Sequence, residues 1–242
     1  MDPITFLGLT VAALMILLFC GLEIAWSVGV VGTAGLVWYT GQPIDQLAAA
    51  TWSSLNSFTL TAMPLFILMG LLVTASGVGK DTFDVFQQML RRVKAGLGVA
   101  TVFANAVFAA ITGISVASAS VFARIAVPEM RRHGYSKPFA TGVVAGSSVL
   151  GMLIPPSLLM IVYAVQAEES VGRMFLAGIG PGILLALIFA LTIALLARFR
   201  PGFVFDLPER ATGGVALYSV PQMAGKAVPI LILVFLVLGG LY

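Results

Sequence analysis

The sequence predicts an all-α integral membrane protein with one re-entrant helical hairpin and one broken helix. Of the 242 residues, 60% are hydrophobic and only 10% are charged, whereas soluble domains average roughly 25% charged residues. The apolar residues form runs of the length that crosses a bilayer. One of these runs carries cations at both ends, and another contains two adjacent prolines. Those two irregular runs predict the hairpin and the break.

Charge, cysteine content and the first residues exclude other classes of protein. The net charge of +3 reflects an excess of Lys and Arg, which in membrane proteins usually lies in the cytoplasmic loops. No nucleic-acid partner is therefore expected. A single cysteine, Cys20, excludes a disulfide framework. The start, MDPITFLGLT, has no basic region and no small-residue cleavage site. We interpret it as a first membrane helix, not as a removed signal peptide.

The apolar runs give the elements in order. They occupy about 4–20, 24–40, 57–76, 97–123, 139–166, 174–197 and 227–242. Between the third and fourth runs, apolar residues recur at helical spacing opposite a polar face. The apolar ones are Phe83, Phe86, Met89, Leu90 and Val93, and the polar ones are Lys80, Asp81, Asp84, Gln87, Arg91 and Lys94. This pattern predicts a helix lying along the membrane surface, with an ordinary solvated loop helix as the alternative.

The cations predict the orientation of the chain in the membrane. They form three clusters: Lys80, Arg91, Arg92 and Lys94; Arg124, Arg131, Arg132 and Lys137; and Arg198, Arg200 and Arg210. The positive-inside rule places all three clusters on the cytoplasmic side. The N-terminus and the pair Glu168 and Glu169 then face outward.

The fourth run has cytoplasmic clusters at both of its ends. From Ala95 to Ala123 it holds 29 residues; as one straight helix it would reach about 44 Å and would end on the wrong side. Two full spans would need about 40 residues, which is more than this run contains. The remaining possibility is a re-entrant hairpin, which is tolerated only where protein or a water-filled cavity surrounds it. We expect its turn between Thr112 and Ser120, where small polar residues gather.

The fifth run contains the two prolines. Pro155 and Pro156 lack N–H groups and leave upstream carbonyls without donors, while Gly151 allows backbone angles that other residues avoid. Freed carbonyls and serine hydroxyls suit a hard cation such as Na⁺, and the half-helices after each interruption favour a carboxylate. Such interrupted segments are typical of secondary transporters, although a proline kink can also be purely structural.

Two stretches resemble one known family. FAAITGISVASAS, residues 108–120, is similar to the hairpin-tip motif of the large membrane subunit of TRAP transporters. Residues 127–182, with LIPPS at the break and SVGRMFLAGIGPG after it, resemble the same family over their whole length. The resemblance covers most of the chain.

The resemblance implies a Na⁺-coupled importer of an organic acid, such as a C4-dicarboxylate, in the bacterial inner membrane. It implies an elevator architecture of the ion-transporter superfamily, of which this chain is the first inverted repeat. The expected partners are a small membrane subunit of the Q type, a periplasmic substrate-binding protein of the P type, and lipid. The implied Na⁺ ligands are Ser115, Ser118, Gly151, Ile154 and Pro155. The residues implied to face the substrate are Gly113, Ser115, Pro156 and Ser157.

The resemblance also implies a division of the chain. Residues 1–76 are expected to be scaffold-type transmembrane helices, 77–95 an interfacial amphipathic helix, and 96–198 half of a transport domain. Within that half, the hairpin occupies 96–127, the broken helix 138–166 and a further helix 174–198. A cytoplasmic loop at 199–226 and the start of a truncated helix at 227–242 follow.

Three features depart from the family pattern. Ile114 stands where a second serine is usual, so one hydroxyl is missing from the tip. Arg124 stands in the returning arm in place of a small residue, and we expect it to snorkel to the cytoplasmic surface. The chain ends at Tyr242, inside an apolar run, so it is expected to hold the first half of such a protein and the start of the second.

The sequence also bears on two other functions. A carrier of the same superfamily that takes dicarboxylates without a binding protein remains the alternative. An enzyme is not expected, because the apolar runs hold no Asp, Glu or His pair and no H-E-x-x-H or G-x-S-x-G motif. The sequence contains no Gly-rich lysine loop of the kind that binds phosphate, so it does not indicate an ATPase.

Overall fold

The computed structural model is helical almost throughout and describes residues 2–41, 48–49, 51–53, 56, 58–206 and 218–240. Within these residues, β-pairing is limited to an isolated bridge between Tyr135 and Phe205. The helices are α1 Pro3–Phe19, α2 Ile24–Thr40, α3 Phe58–Ala75, α4 Val78–Met89, α5 Gly96–Thr112, α6 Ser115–Arg132, α7 Lys137–Ser148, α8 Leu150–Leu153, α9 Leu158–Gln166, α10 Val171–Phe199, α11 Pro201–Val204 and α12 Val220–Gly239. The predicted all-α fold is confirmed.

The chain divides into two compact units, residues 1–58 and 59–242. In the first unit α1 packs against α2, and the ring of Phe6 stacks on Tyr39 with centroids 4.3 Å apart. A left-handed Gly41 ends α2. Because this division reflects packing alone, the assignment of residues 1–76 to a scaffold stays a prediction.

Among the described residues, two helical segments are long and apolar enough to cross a bilayer, Val171–Phe199 and Pro221–Gly239. The count rises to four if the bent pairs α3–α4 and α7–α9 each form one span. Large apolar side chains on α10, such as Leu184 and Leu191, are each 59% exposed. Exposed apolar helices of this length belong in lipid, so the chain is an integral, multi-pass membrane protein.

The second unit is built around α5. Small residues along this helix, such as Gly98 and Ala104, allow α4, α6, α7 and α10 to pack closely against it, and most of its side chains are buried. The returning helix α6 runs antiparallel to α5, because Phe108 contacts Phe122 near the turn and Thr101 contacts Met130 further from it. The two helices form the predicted hairpin in shape; its re-entry into a membrane stays a prediction.

The stretch predicted to lie along the membrane surface contains α4, which ends at Met89 and does not reach Val93. Protein covers part of its apolar face: Phe83 is 2% exposed and Phe86 stacks on Phe103 of α5, with centroids 5.9 Å apart, whereas Met89 is 61% exposed. Gln87, expected on the polar face, is also buried. Part of this apolar face therefore belongs to the protein core, and a position at the membrane surface stays a prediction.

The last helix, α12, begins at Val220 and not at residue 227 as predicted. Ser219 and Gln222 form a capping box that starts it earlier. Lys226, expected at the end of the loop, lies inside this helix and pairs with Asp84 and Asp81 of α4. Those carboxylates neutralise the ammonium group, and lysine is a good helix former, so the helix continues past it. Residues 207–217 of the predicted loop, with Arg210 of the third cluster, lie outside the described residues.

Candidate ion and substrate site

The tip of the hairpin is a turn of two residues between α5 and α6. Gly113 closes α5 in the left-handed region, with φ of 64°, which is unstrained in glycine alone. Its N–H still donates to the carbonyl of Ala109 at 2.8 Å. Ile114 is extended, and α6 begins at Ser115. The turn lies at the start of the stretch where it was predicted, Thr112–Ser120.

The broken helix has a four-residue interruption between α8 and α9. Ile154 and Ser157 are extended at its two ends, and the axes of the helical segments before and after it differ by 43°. Pro155 and Pro156 follow Gly151 and Met152 by four residues, so neither carbonyl can accept a normal helical hydrogen bond. The hydroxyl of Ser157 donates to the Met152 carbonyl at 2.9 Å instead.

The tip and the break are in direct contact at two places. The N–H of Leu158 donates to the carbonyl of Gly113 at 3.3 Å. A Cβ on Gly113 would lie 2.5 Å from the Pro156 carbonyl oxygen, and a Cβ on Gly151 would lie 3.0 Å from the Ser115 nitrogen. The two glycines thus allow the irregular backbones to approach each other closely. Helices α6 and α9 both begin at this contact, which directs the positive ends of their dipoles towards it.

Glycines of two further helices hold these segments in place. A Cβ on Gly178 of α10 would lie 2.6 Å from the Leu153 carbonyl oxygen, and one on Gly182 would lie 2.8 Å from Cγ1 of Ile154. A Cβ on Gly70 of α3 would lie 3.0 Å from Cδ1 of Ile114. Ile114, the departure from the family pattern, therefore packs over Gly70, and the tip lies between α3 and the break.

A buried polar chain links three helices next to the tip. The hydroxyl of Ser118 donates to Oδ1 of Asn105 at 2.5 Å, and Nδ2 of Asn105 donates to the hydroxyl oxygen of Ser147 at 2.5 Å. Asn105 is fully buried. Asn105 and Ser147 are not among the site residues predicted from the sequence. An amide in the middle of an apolar helix was the available signal, because a buried amide needs partners.

The structure brings most of the predicted site residues together. Gly113, Ser115, Gly151, Pro156 and Ser157 lie at the contact between tip and break. Ser118 lies one turn along α6 and is bound to the polar chain, while Ile154 packs against α10.

Pro155 is buried within the break. Within the described part of the chain, no group of three or more His, Cys, Asp or Glu side chains is arranged to hold a metal ion.

Arg124 lies away from this site. It is exposed and, with Lys80 and Arg132, lines a cavity of about 420 Å³ between α4 and α6. The lining includes Asp84 and Glu129 and none of the predicted site residues. Its snorkelling to the cytoplasmic surface stays a prediction.

Comparison with known proteins identifies similar chains. Residues 11–242 match the family model described as "Tripartite ATP-independent periplasmic transporter, DctM component". The C4-dicarboxylate TRAP transporter large permease protein DctM of Pseudomonas aeruginosa is 36% identical over 216 residues, covering 89% of this chain and 49% of that protein. The protein of the same description from Vibrio cholerae is 34% identical, covering 97% and 51%.

A relative with a different described substrate also matches. The sialic acid TRAP transporter permease protein SiaT of Haemophilus influenzae is 32% identical over 176 residues, which is 72% of this chain and 28% of that protein. The chain spans about half the length of the two DctM relatives. The similarity therefore extends across relatives whose described substrates differ.

Proposed function

Because the chain belongs to the DctM-component family of tripartite ATP-independent periplasmic transporters, we propose that it forms part of the permease of a Na⁺-coupled secondary transporter. In this proposal the transporter imports an organic acid across the bacterial inner membrane. The observation that carries it is the contact between the tip at Gly113–Ser115 and the break at Gly151–Ser157. Interrupted helices that meet inside the protein are the usual ion and substrate sites of such carriers.

The proposed Na⁺ ion is bound by backbone and hydroxyl oxygens. Pro155 and Pro156 leave the carbonyls of Gly151 and Met152 without helical donors, and the serines of α6 add hydroxyl oxygens. Oxygen ligands of this kind suit a hard cation. The proposed ligand set is Ser115, Ser118, Gly151, Ile154 and Pro155.

The proposed organic acid binds on the side of Gly113, Ser115, Pro156 and Ser157. The first N–H groups of α6, and those that follow Leu158 in α9, have no helical acceptors and favour a carboxylate. A cation held beside them would add a further attraction for the anion. Two of the relatives are described as C4-dicarboxylate transporters, and we take a small carboxylate as the substrate class.

The proposed movement is of the elevator type. Helices α5 to α10 pack on one another around the site, so they can move together and carry the site across the membrane. The proposed partners are a small membrane subunit of the Q type and a periplasmic substrate-binding protein of the P type, which delivers the acid.

The test is uptake of labelled C4-dicarboxylate into vesicles that contain the complete transporter assembled with this chain. An inward Na⁺ gradient is expected to drive uptake, and replacing Na⁺ with choline is expected to stop it. In Ser118→Ala the half-saturating Na⁺ concentration is expected to rise about tenfold, because one oxygen ligand is lost. Ser120→Ala, an exposed serine of the same helix, is the matched control and is expected to leave that concentration unchanged.

Uptake that continues in Na⁺-free medium, or that a proton gradient drives equally well, would contradict the Na⁺ coupling. Equal effects of Ser118→Ala and Ser120→Ala would contradict the ligand set.

A further inference from the structure

Among the side-chain hydrogen bonds of the described residues, only those of Asn105 connect α6, the returning arm of the hairpin, with α7, the helix that leads to the break. It lies in α5 and joins Ser118 of α6 to Ser147 of α7. All three side chains are at most 1% exposed. A buried polar chain in which every bond is made is rigid and specific, whereas one with a partner missing leaves a costly unpaired group.

The direction of these hydrogen bonds follows from the groups around Ser147. Its hydroxyl donates to the backbone carbonyl of Val144 at 3.4 Å, so its oxygen accepts from the amide nitrogen of Asn105. The amide oxygen of Asn105 therefore faces Ser118 and accepts the hydroxyl hydrogen of that serine. Consequently the oxygen of Ser118 has its hydrogen directed away into α5 and keeps its lone pairs for another partner.

We propose that Asn105 is a positioning residue for the coupling cation, because it takes the hydroxyl hydrogen of Ser118 and leaves that serine's oxygen as a ligand. The inference rests on the proposed function, in which Ser118 is a Na⁺ ligand. A freely rotating hydroxyl must be reoriented before it can bind a cation, whereas one whose hydrogen is committed to Asn105 is already arranged. The bond to Ser147 fixes the amide and so links the geometry of the tip to α7, which leads into the break.

The experiment measures the half-saturating Na⁺ concentration and the maximal uptake rate of the complete transporter. Asn105→Leu, similar in size but without polar atoms, is expected to raise the half-saturating Na⁺ concentration about tenfold. Asn105→Asp keeps an oxygen that accepts from Ser118, and its second oxygen accepts from Ser147 when that hydroxyl turns from the Val144 carbonyl. This variant is expected to stay within about threefold of the unchanged transporter. Thr101→Val is the matched control: it removes another buried hydrogen bond of α5, from the hydroxyl to the Leu97 carbonyl at 2.8 Å. It is expected to leave the Na⁺ dependence unaltered.

A double variant separates positioning from general damage. If Asn105 acts through Ser118, adding Asn105→Leu to Ser118→Ala changes the half-saturating Na⁺ concentration no further. The inference would be overturned if the two effects multiply in full. It would also be overturned if Asn105→Asp or Thr101→Val raises the half-saturating Na⁺ concentration as much as Asn105→Leu does. A variant Asn105→Leu that lowers only the maximal rate would overturn it as well.

The outcome also distinguishes this inference from the proposed function. Uptake by the unchanged transporter that needs no Na⁺ would overturn both. Na⁺-driven uptake, weakened by Ser118→Ala but unaffected by Asn105→Leu, would overturn the inference alone.

Discussion

At the scale of single residues, Gly113 is the most constrained position of the candidate site. Its φ of 64° disfavours any side chain, and the carbonyl oxygen of Pro156 occupies the space a Cβ would need, at 2.5 Å. Its own carbonyl accepts the N–H of Leu158, the first residue of α9. One glycine thus ends α5, turns the chain and holds the tip against the break.

Replacing Gly113 is therefore expected to separate the two segments. Gly113→Ala is predicted to reduce Na⁺-driven uptake at least about tenfold, because the left-handed backbone and the contact with a carbonyl oxygen together cost more than about 1.4 kcal/mol. The measurement is the uptake rate per amount of transporter in the membrane. Gly142→Ala, whose Cβ meets nothing within 4 Å, is the control and is expected to transport normally; equal activity of both variants would contradict this account of the turn.

The residues that the sequence could identify were those with a local signature. Gly113 and Ser118 belong to a short polar stretch inside an apolar run, and Pro155 and Pro156 are adjacent. Asn105 could not be linked to its partners, because Ser118 lies 13 and Ser147 lies 42 residues away along the chain. Hydrogen bonds between helices depend on packing that a single sequence does not reveal.

At the scale of elements, the enclosure of α5 gives the hairpin its physical basis. A polar turn at membrane depth is tolerated only when protein surrounds it, and α4, α6, α7 and α10 pack around this helix. The distribution of cations predicts the hairpin shape of the run from Ala95 to Ala123, although the returning helix α6 continues to Arg132. It could not predict what covers the hairpin. For the same reason the periodicity of α4 could not show that α5 buries Phe83 and Phe86, because periodicity defines a face but not its neighbour.

The contact between α10 and the break depends on small residues. Gly178→Ala is predicted to lower the stability of the permease by about 1–3 kcal/mol, the usual range for overpacking, because the new Cβ would lie 2.6 Å from the Leu153 carbonyl oxygen. Thermal unfolding in detergent measures this as a lower midpoint.

Gly180→Ala is the matched control on the same helix, since its Cβ would meet nothing within 4 Å. It is expected to leave the midpoint unchanged. A similar midpoint in both variants would show that α10 does not press against the break as described.

At the scale of the whole molecule, this chain covers about half the length of the DctM relatives. Every proposed Na⁺ ligand lies between Ser115 and Pro155, so affinity for the cation is expected to be a property of this chain. The choice of organic acid, in contrast to the affinity for Na⁺, is expected to depend also on the remainder of the permease and on the binding protein.

The most direct test of the account is a structure of the complete transporter in lipid, determined once in Na⁺ and once in choline. The account predicts a Na⁺-dependent density peak between tip and break, at mid-membrane depth, bounded by the hydroxyl of Ser118 and the carbonyl of Gly151. A tip at the membrane surface, or no difference between the two conditions at this position, would contradict it.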